Sequence, residues 1–387
     1  MGSRLVYQTI TEWYEQIHVL MPMLGKWQAR NLALLSFGIV LARTCTISIV
    51  AEKLWALGKA DSVERRVQRF LSNSRVCVQA CSVAWSRWVL GYLLPYGSRI
   101  VLLVDETKLA DHLSIMVVAL AYRKRAIPLV WRCYHQERWP CSQVELIRQL
   151  LELVGQALPP GGGVVPLVQA DRGIGTSPEL ATAIHQIGWH FLFRVQGHCC
   201  FWAEGTDETQ AKAVKTQAKA VKTLARRGGH FCGSGRVFKK AAKYNRQGAW
   251  LACRVVVRWP ARFQQPWCLI TNSPEVTAAH YAMRAWEEQS FRDLKSGGWQ
   301  WQRSRVWNPE HAQRLVLAMS IAYAFVLSVG TKAIRAGKQT ISQLTRGKRR
   351  HFSAFRLGLR HLSHLLAAPH PKPLLLRLYL VPSSPLP

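Results

Sequence analysis

The chain has 387 residues, 49% of them hydrophobic, enough for a substantial core and too many for one minimal domain, so two or three domains are expected. Its 52 Lys and Arg against 21 Asp and Glu leave a formal charge of +31. Each phosphate met by Lys or Arg releases condensed cations, so the charge points to nucleic acid as partner, with a basic membrane-surface protein as the rival. The cysteines supply no metal framework. Cys77 and Cys81 are spaced C-x3-C, no second Cys or His pair follows at finger spacing, and Cys199 and Cys200 are adjacent. Reduced thiols, several of them buried, are expected. Met1 to Gln16 is largely polar and carries Glu12 and Glu15, so no secretory leader is expected. The longest apolar run, Leu315 to Gly330, is about 16 residues against the roughly 20 that span a bilayer, and reads as a buried helix.

From about Lys26 to Leu94 apolar residues recur at three and four, the helical period. Thr46 to Leu57 reads as one helix stopped by Gly58, and Asp61 or Ser62 is expected to cap a second helix through Ser72. That second helix carries Arg65, Arg66 and Arg69 beside Val63, Val67 and Phe70. A helix, a glycine turn and a basic amphipathic helix are compatible with a helix-turn-helix reader, so residues 1–95 are expected to be a helical DNA-binding domain.

The pattern then changes. Arg99 to Asp105 is a nearly unbroken apolar run ending on an acid, and Ser114–Tyr122 and Ile127–Cys133 follow as two more strands. Val144 to Leu158 is helical. After the Pro159–Gly163 break, Val164 to Gln169 is a strand leading to Asp171, although Pro166 inside it suits only an edge or a bulge. Pro178 opens a short helix and Trp189 to Val195 is a strand. Three strands followed by α/β alternation predict a mixed sheet with helices on its faces. Residues 196–265 are Gly-rich and basic and contain a tandem repeat, Thr209–Lys215 then Thr216–Lys222, whose seven-residue period would lengthen a helix without rotating its face much. This segment reads as a tolerant insertion, mostly β with a duplicated helical heptad. Strands at Leu251–Trp259 and Trp267–Thr271, a helix from Glu275 to Lys295 ended by Ser296-Gly-Gly298, and a helix from Pro309 to Ala336 complete the pattern. Residues 337–387 read as a basic, loosely ordered tail.

Acids are scarce, so those at strand ends stand out. Asp105 ends the first buried strand. Asp171 ends another, before the flexible turn Arg172-Gly-Ile-Gly175, and ligand sites in open α/β sheets gather at such ends. On an unbroken helix, with Tyr281 at zero, Arg284, Glu288 and Lys295 fall near about −60°, −20° and −40°, one stripe of phenol, guanidinium, carboxylate and ammonium. Glu287 competes as the ligand but points about 100° away. Three converging carboxylates, Asp105, Asp171 and Glu288, suit two hard cations such as Mg²⁺, a pair that serves in-line phosphoryl transfer. Arg284 and Lys295 would grip flanking phosphates and Tyr281 would hydrogen-bond another. No G-x-x-x-x-G-K-[ST] loop is present, so ATP is not indicated.

The Tyr281, Arg284, Glu288 and Lys295 set matches, spacing included, the Y-(2)-R-(3)-E-(6)-K signature of the IS4-like (Tn5-like) bacterial DDE insertion-sequence transposases. The stretch from Trp286 to Gly298 resembles that family's sequence around the catalytic Glu. Val104-Asp105-Glu-Thr107 and Ala170-Asp171-Arg-Gly173 resemble its two Asp contexts, and Ser62–Asn73 its N-terminal Arg-rich segment, so the resemblance spans roughly residues 60–330. It implies an RNase H-like catalytic core in two parts, 96–195 and 266–336, interrupted by the β-rich insertion. It also implies Asp105, Asp171 and Glu288 as catalytic metal ligands for two Mg²⁺ (or Mn²⁺). Tyr281, Arg284 and Lys295, with Arg65, Arg66 and Arg69, would be DNA contacts. The implied activity is cut-and-paste transposition: a homodimer on terminal inverted repeats nicks the DNA to expose a 3′-OH that attacks the target, in the prokaryotic cytoplasm at the nucleoid, without membrane or ATP. Some members pass through a hairpin with a base flipped onto tryptophan, and Trp299, Trp301 and Trp307 lie nearby in sequence. The competing readings are a nuclease on the same metal core and an inactive or domesticated relative that only binds DNA.

Overall fold

The computed structural model describes residues 2–96, 99–136, 138–160, 163–203, 219–238, 251–345 and 352–381. Five helices open the chain: α1 (Ser3–Leu20), α2 (Lys26–Ala42), α3 (Ile47–Lys53), α4 (Ala60–Ser72) and α5 (Val78–Gly91). The helix expected over Thr46–Leu57 is shorter, because Trp55–Leu57 tightens into a 3-10 turn before Gly58. Gly58 takes φ 131°, a conformation only glycine enters freely. Neither Asp61 nor Ser62 caps α4, which begins at Ala60 without a side-chain cap and carries Asp61 in its first turn. Val63, Val67, Phe70 and Leu71 of α4 are buried, which leaves Arg65 and Arg69 exposed.

An antiparallel meander follows: β1 (Val101–Leu109), β2 (Leu113–Tyr122) and β3 (Arg125–His135). The β2–β3 turn is Arg123-Lys124, both at positive φ (46° and 64°), as a two-residue hairpin of primed type requires. Then come α6 (Gln143–Ala157), capped by Ser142, β4 (Leu167–Ala170), α7 (Arg172–Gly175), α8 (Pro178–Gln186) and β5 (His190–Arg194). Pro166 raises no conflict, since β4 begins one residue after it. Its carbonyl still accepts from the His190 amide at 3.0 Å. β4 runs parallel to both β1 and β5. The strand order β3-β2-β1-β4-β5, antiparallel then parallel, makes a mixed α/β sheet consistent with an RNase H-like DDE domain.

The β-rich segment expected as an interruption extends this same sheet. β6 (Cys200–Ala203), β7 (Lys219–Ala220), β8 (His230–Val237), β9 (Leu251–Arg258) and β10 (Trp267–Thr271) continue it in the order β5-β10-β9-β8-β6-β7, with β10 antiparallel to β5. Thr209–Ala218, most of the duplicated heptad, lies outside the described residues. Its end is not α-helical: Lys219–Ala220 is strand and Val221–Leu224 a 3-10 turn.

Beyond β10 the chain forms α9 (Ala278–Tyr281), a 3-10 turn (Ala282–Arg284), α10 (Ala285–Leu294), a second 3-10 turn (Trp301–Ser304), α11 (Pro309–Arg335), α12 (Lys338–Leu344) and α13 (Ala354–Leu366). Asn308 caps α11 and Pro309 occupies its first turn. The helix is long and apolar enough to cross a membrane, yet 94% of its most apolar stretch is buried inside the protein, against α2, β3 and α13. One continuous apolar core joins α1–α5, the sheet and α11, so the expected helical domain 1–95 shares its core with the rest. In its described residues, 337–345 and 352–381, the C-terminal segment is also not the loose tail expected. α13 crosses α11 at glycines: a Cβ on Gly330 would lie 1.8 Å from the Ala354 carbonyl oxygen, and one on Gly358 2.0 Å from that of Val326. Further on, Trp13 Nε1 donates to the Leu374 carbonyl (2.8 Å) and the Tyr379 amide donates to Ser328 Oγ (2.7 Å). Apolar Leu374, Leu376, Leu378 and Leu380 are buried, and their burial outweighs the local positive charge.

Candidate active site

Register brings the two aspartates together. β1 and β4 pair in parallel up to Val104↔Ala170, so Asp105 and Asp171 are the next residues on adjacent strands, whose backbones lie about 4.8 Å apart. β4 ends there. β1 does not: Asp105 sits mid-strand, opposite Val117 of β2, rather than at the strand end the apolar run suggested. The turn after Asp171 is a short helix, α7, and Asp171 is its N-cap, Oδ1 accepting from the Gly173 (2.9 Å) and Ile174 (3.1 Å) amides. Gly175 is required there, because a Cβ would lie 2.6 Å from the Arg194 carbonyl oxygen.

The helix expected from Glu275 to Lys295 is broken by the 3-10 turn at Ala282–Arg284, and the break changes which residues share a face. A 3-10 turn advances about 120° per residue against about 100° in an α-helix. Arg284 is thereby brought into line beneath Tyr281, with Glu287 and Glu288 about 60° and 40° to either side of that line. The two glutamates stand about 100° apart, and packing turns Glu287 into the core. Arg284 Nη2 donates to Asp105 Oδ2 at 2.8 Å, and Arg284 Nη1 lies 3.6 Å from Glu287 Oε2. The Arg284 side chain is only 8% exposed and that of Glu287 1%, and neither Glu287 oxygen has a hydrogen-bond partner. Glu288 is exposed. Tyr281 is buried with its ring edge-on to Trp267. Lys295 is half-buried, and its Nζ donates to the Lys108 carbonyl (2.5 Å).

Electrostatics follow from three acids sharing one guanidinium. Burial pushes the Asp105 carboxyl up to about 6; Arg284 opposes the shift and Asp171 adds to it. Burial raises Glu287 well above the carboxylate range, Asp105 and Asp171 adding while Arg284 offsets only part. For Arg284 burial works against the charge, but Glu287 and Asp105 more than compensate and hold it protonated. Burial also pushes the Tyr281 phenol up to about 12, and lowers Lys295 against the pull of Asp105. The cluster is short of positive charge, and its donors are carboxylate oxygens, the chemistry of a hard divalent cation. Asp171 Oδ2 accepts no hydrogen bond among the described residues. A complete cage is not assembled: among the described residues no three Asp, Glu, His or Cys stand together as metal ligands.

Of the expected site residues, Asp105, Asp171, Arg284, Tyr281 and Lys295 are therefore brought together, and Glu288 stands outside on the adjacent surface. Tyr281 and Arg284 lie below the surface, where they face carboxylates before they can face phosphate. Glu287 was passed over because angular position favours Glu288, whereas the side that faces the core is set by packing. Among the arginines of α4, Arg65 and Arg69 are exposed, whereas Arg66 is half-buried and donates to Asn31 Oδ1 on α2 (3.0 Å). Trp299 and Trp301 are buried, and Trp307 alone of the three is partly open, with its ring 4.5 Å from that of His112.

Residues 142–325 match the family model of the transposase DDE domain, just under half of the chain. The match supports a DDE transposase, an enzyme of the transposase and nuclease type, and with it DNA as the partner. It contains Asp171, Glu288 and the Tyr281–Lys295 segment; Asp105 lies ahead of it. Comparison with curated proteins finds no match.

Proposed function

We propose that this chain is a cut-and-paste transposase of the IS4-like group. It cleaves phosphodiester bonds at the terminal inverted repeats of its element and joins the freed 3′ end to target DNA. The observation that carries this reading is the juxtaposition of Asp105 and Asp171, set side by side by the β1–β4 register beneath the helix that bears Arg284, Glu288 and Lys295. Asp105, Asp171 and Glu288 would hold two Mg²⁺ or Mn²⁺ ions. When bound, these supply the positive charge that an in-line displacement at phosphorus needs. Arg284 fixes the Asp105 carboxylate and keeps it from turning into the strand; the α7 amides do the same for Asp171 Oδ1. Lys295, beside Asp105, offers its ammonium to a phosphate next to the scissile bond, a sequence-independent contact that sets position. Arg65 and Arg69 extend the DNA surface. The enzyme acts as a homodimer on double-stranded DNA in the prokaryotic cytoplasm, at the nucleoid, with no need for ATP or a membrane.

A second reading, a relative that binds DNA without cutting it, draws support from the exposed Glu288 and from Arg284 occupying Asp105. Cleavage of a labelled terminal-repeat duplex in Mg²⁺ by Glu288→Gln and Glu287→Gln separates the alternatives. The proposal expects loss of cutting only in Glu288→Gln, with DNA binding kept. Loss only in Glu287→Gln would move the third ligand to Glu287. No cutting by wild type in any divalent metal would leave the binding-only reading.

A further inference from the structure

A cleft of about 1190 Å³ opens between the N-terminal helices and the segment that follows α10. One wall is α4, which contributes Arg65 and Arg69; the other is the Trp301–Ser304 turn and the start of α11, with Arg303, Arg305, Trp307 and His311. All four arginines are exposed, and none is in a salt bridge among the described residues. The only acid in the lining is Glu64, already engaged by Gln68 Nε2 at 3.0 Å. Four guanidiniums against one carboxylate concentrate positive potential in a concave site, where low-dielectric walls focus the field. The amides that begin α11 are not the attraction, since Asn308 Oδ1 already accepts from Glu310 and His311.

The cleft also leads somewhere. Arg303 lines a second, smaller hollow of about 210 Å³ together with Lys295, Ser296, Gln300 and Gln302. Lys295 lies within electrostatic reach of Asp105. A basic path therefore runs from the aspartates through Lys295 and Arg303 into the larger cleft. The two walls are held in place: the Cys45 amide donates to the Trp299 carbonyl (2.8 Å), and Arg314 Nη1 donates to the Leu71 carbonyl at the end of α4 (3.0 Å).

We propose that this cleft is the seat of a DNA backbone segment continuous with the strand at the aspartates, its phosphates held by Arg65, Arg69, Arg303 and Arg305. The proposal rests on the transposase reading for the identity of the polyanion. It adds Arg303 and Arg305, which neither the Tyr281–Lys295 signature nor the α4 arginines indicate, and it explains why α4 stands opposite the α10–α11 connection.

The test is fluorescence anisotropy of a labelled duplex carrying the element's terminal repeat, titrated over a salt series in EDTA, with cleavage in Mg²⁺ run in parallel. Arg303→Gln/Arg305→Gln is compared with wild type and with Arg262→Gln, an exposed arginine after β9 and outside the cleft. Each phosphate contact contributes about 0.9 to the slope of log K against log salt, so the double variant is expected to flatten it by about 1.8 while Arg262→Gln leaves it unchanged. Both altered side chains are exposed, and thermal unfolding is expected to match wild type. Wild-type slope and affinity in the double variant, with cleavage intact in wild type, would overturn the cleft and leave the transposase reading standing. An equal loss in Arg262→Gln would reduce the effect to net charge and also overturn it. A wild type that neither binds nor cuts the duplex would overturn both.

Discussion

Glu287→Gln should stabilise the metal-free protein, and the gain should grow with pH. Glu287 is fully buried, neither of its oxygens is hydrogen-bonded, and the single nearby guanidinium is already bonded to Asp105. Its folded-state titration is raised by burial and by Asp105. The sign is then fixed: the folded state binds a proton that the unfolded state releases above about pH 4.3, so folding stability falls as pH rises from there towards the raised folded value. While the folded state keeps its proton, stability falls by about 1.4 kcal/mol per pH unit. A glutamine has the shape of the protonated acid and leaves the same atoms unbonded, so the unmade hydrogen bonds cancel and this linkage remains. Urea unfolding in EDTA at pH 5, 6.5 and 7.5 should show a gain that is smallest at pH 5 and climbs with pH by up to about 1.4 kcal/mol per unit. A pH-independent difference, or a loss of about 3 kcal/mol or more at pH 7.5, the size expected when an ionised buried pair is broken, would show that Glu287 is not held protonated.

Lys295→Ala should weaken binding of the terminal-repeat duplex and flatten its salt slope by about 0.9, one phosphate contact, in the same anisotropy assay; an unchanged slope would remove Lys295 from the DNA surface. Gly358→Ala should cost about 3 kcal/mol in urea unfolding, the upper end of overpacking, because the added Cβ meets the Val326 carbonyl oxygen at 2.0 Å and backbone cannot step aside as a side chain does.

Strands and long helices were legible in the sequence wherever one physical signal dominated. The apolar runs of β2, β3 and β5 and the long apolar stretch of α11 each point one way, and the elements lie where these signals put them. Legibility failed where tertiary pairing decided the outcome. Nothing local tells that β1 runs on past Asp105, because the continuation is set by pairing with β2 across a hairpin. Nor does Arg123-Lys124 carry the glycine or asparagine that usually marks a primed turn. Pro166 looked like a fault in a strand and proved to be its border. The C-terminal segment reads as basic, yet alternate leucines from Leu374 to Leu380 anchor it to the core.

The site divides in the same way. Asp105 and Asp171 were visible as scarce acids next to apolar runs, and only the sheet register makes them neighbours. The stripe of Tyr281, Arg284 and Lys295 holds as a cluster around Asp105, but packing puts Glu287 and not Glu288 on the buried side. Periodicity sets both glutamates within about 60° of Arg284 and cannot tell which one the core takes.

The central claim is tested most directly by nicking of a labelled duplex that carries the element's terminal repeat, comparing wild type with Asp105→Ala in Mg²⁺ and in EDTA. Wild type is expected to cut at the repeat end in Mg²⁺ alone, and Asp105→Ala not to cut although it still binds the duplex. Equal cutting by Asp105→Ala, or cutting that persists in EDTA, would contradict that claim.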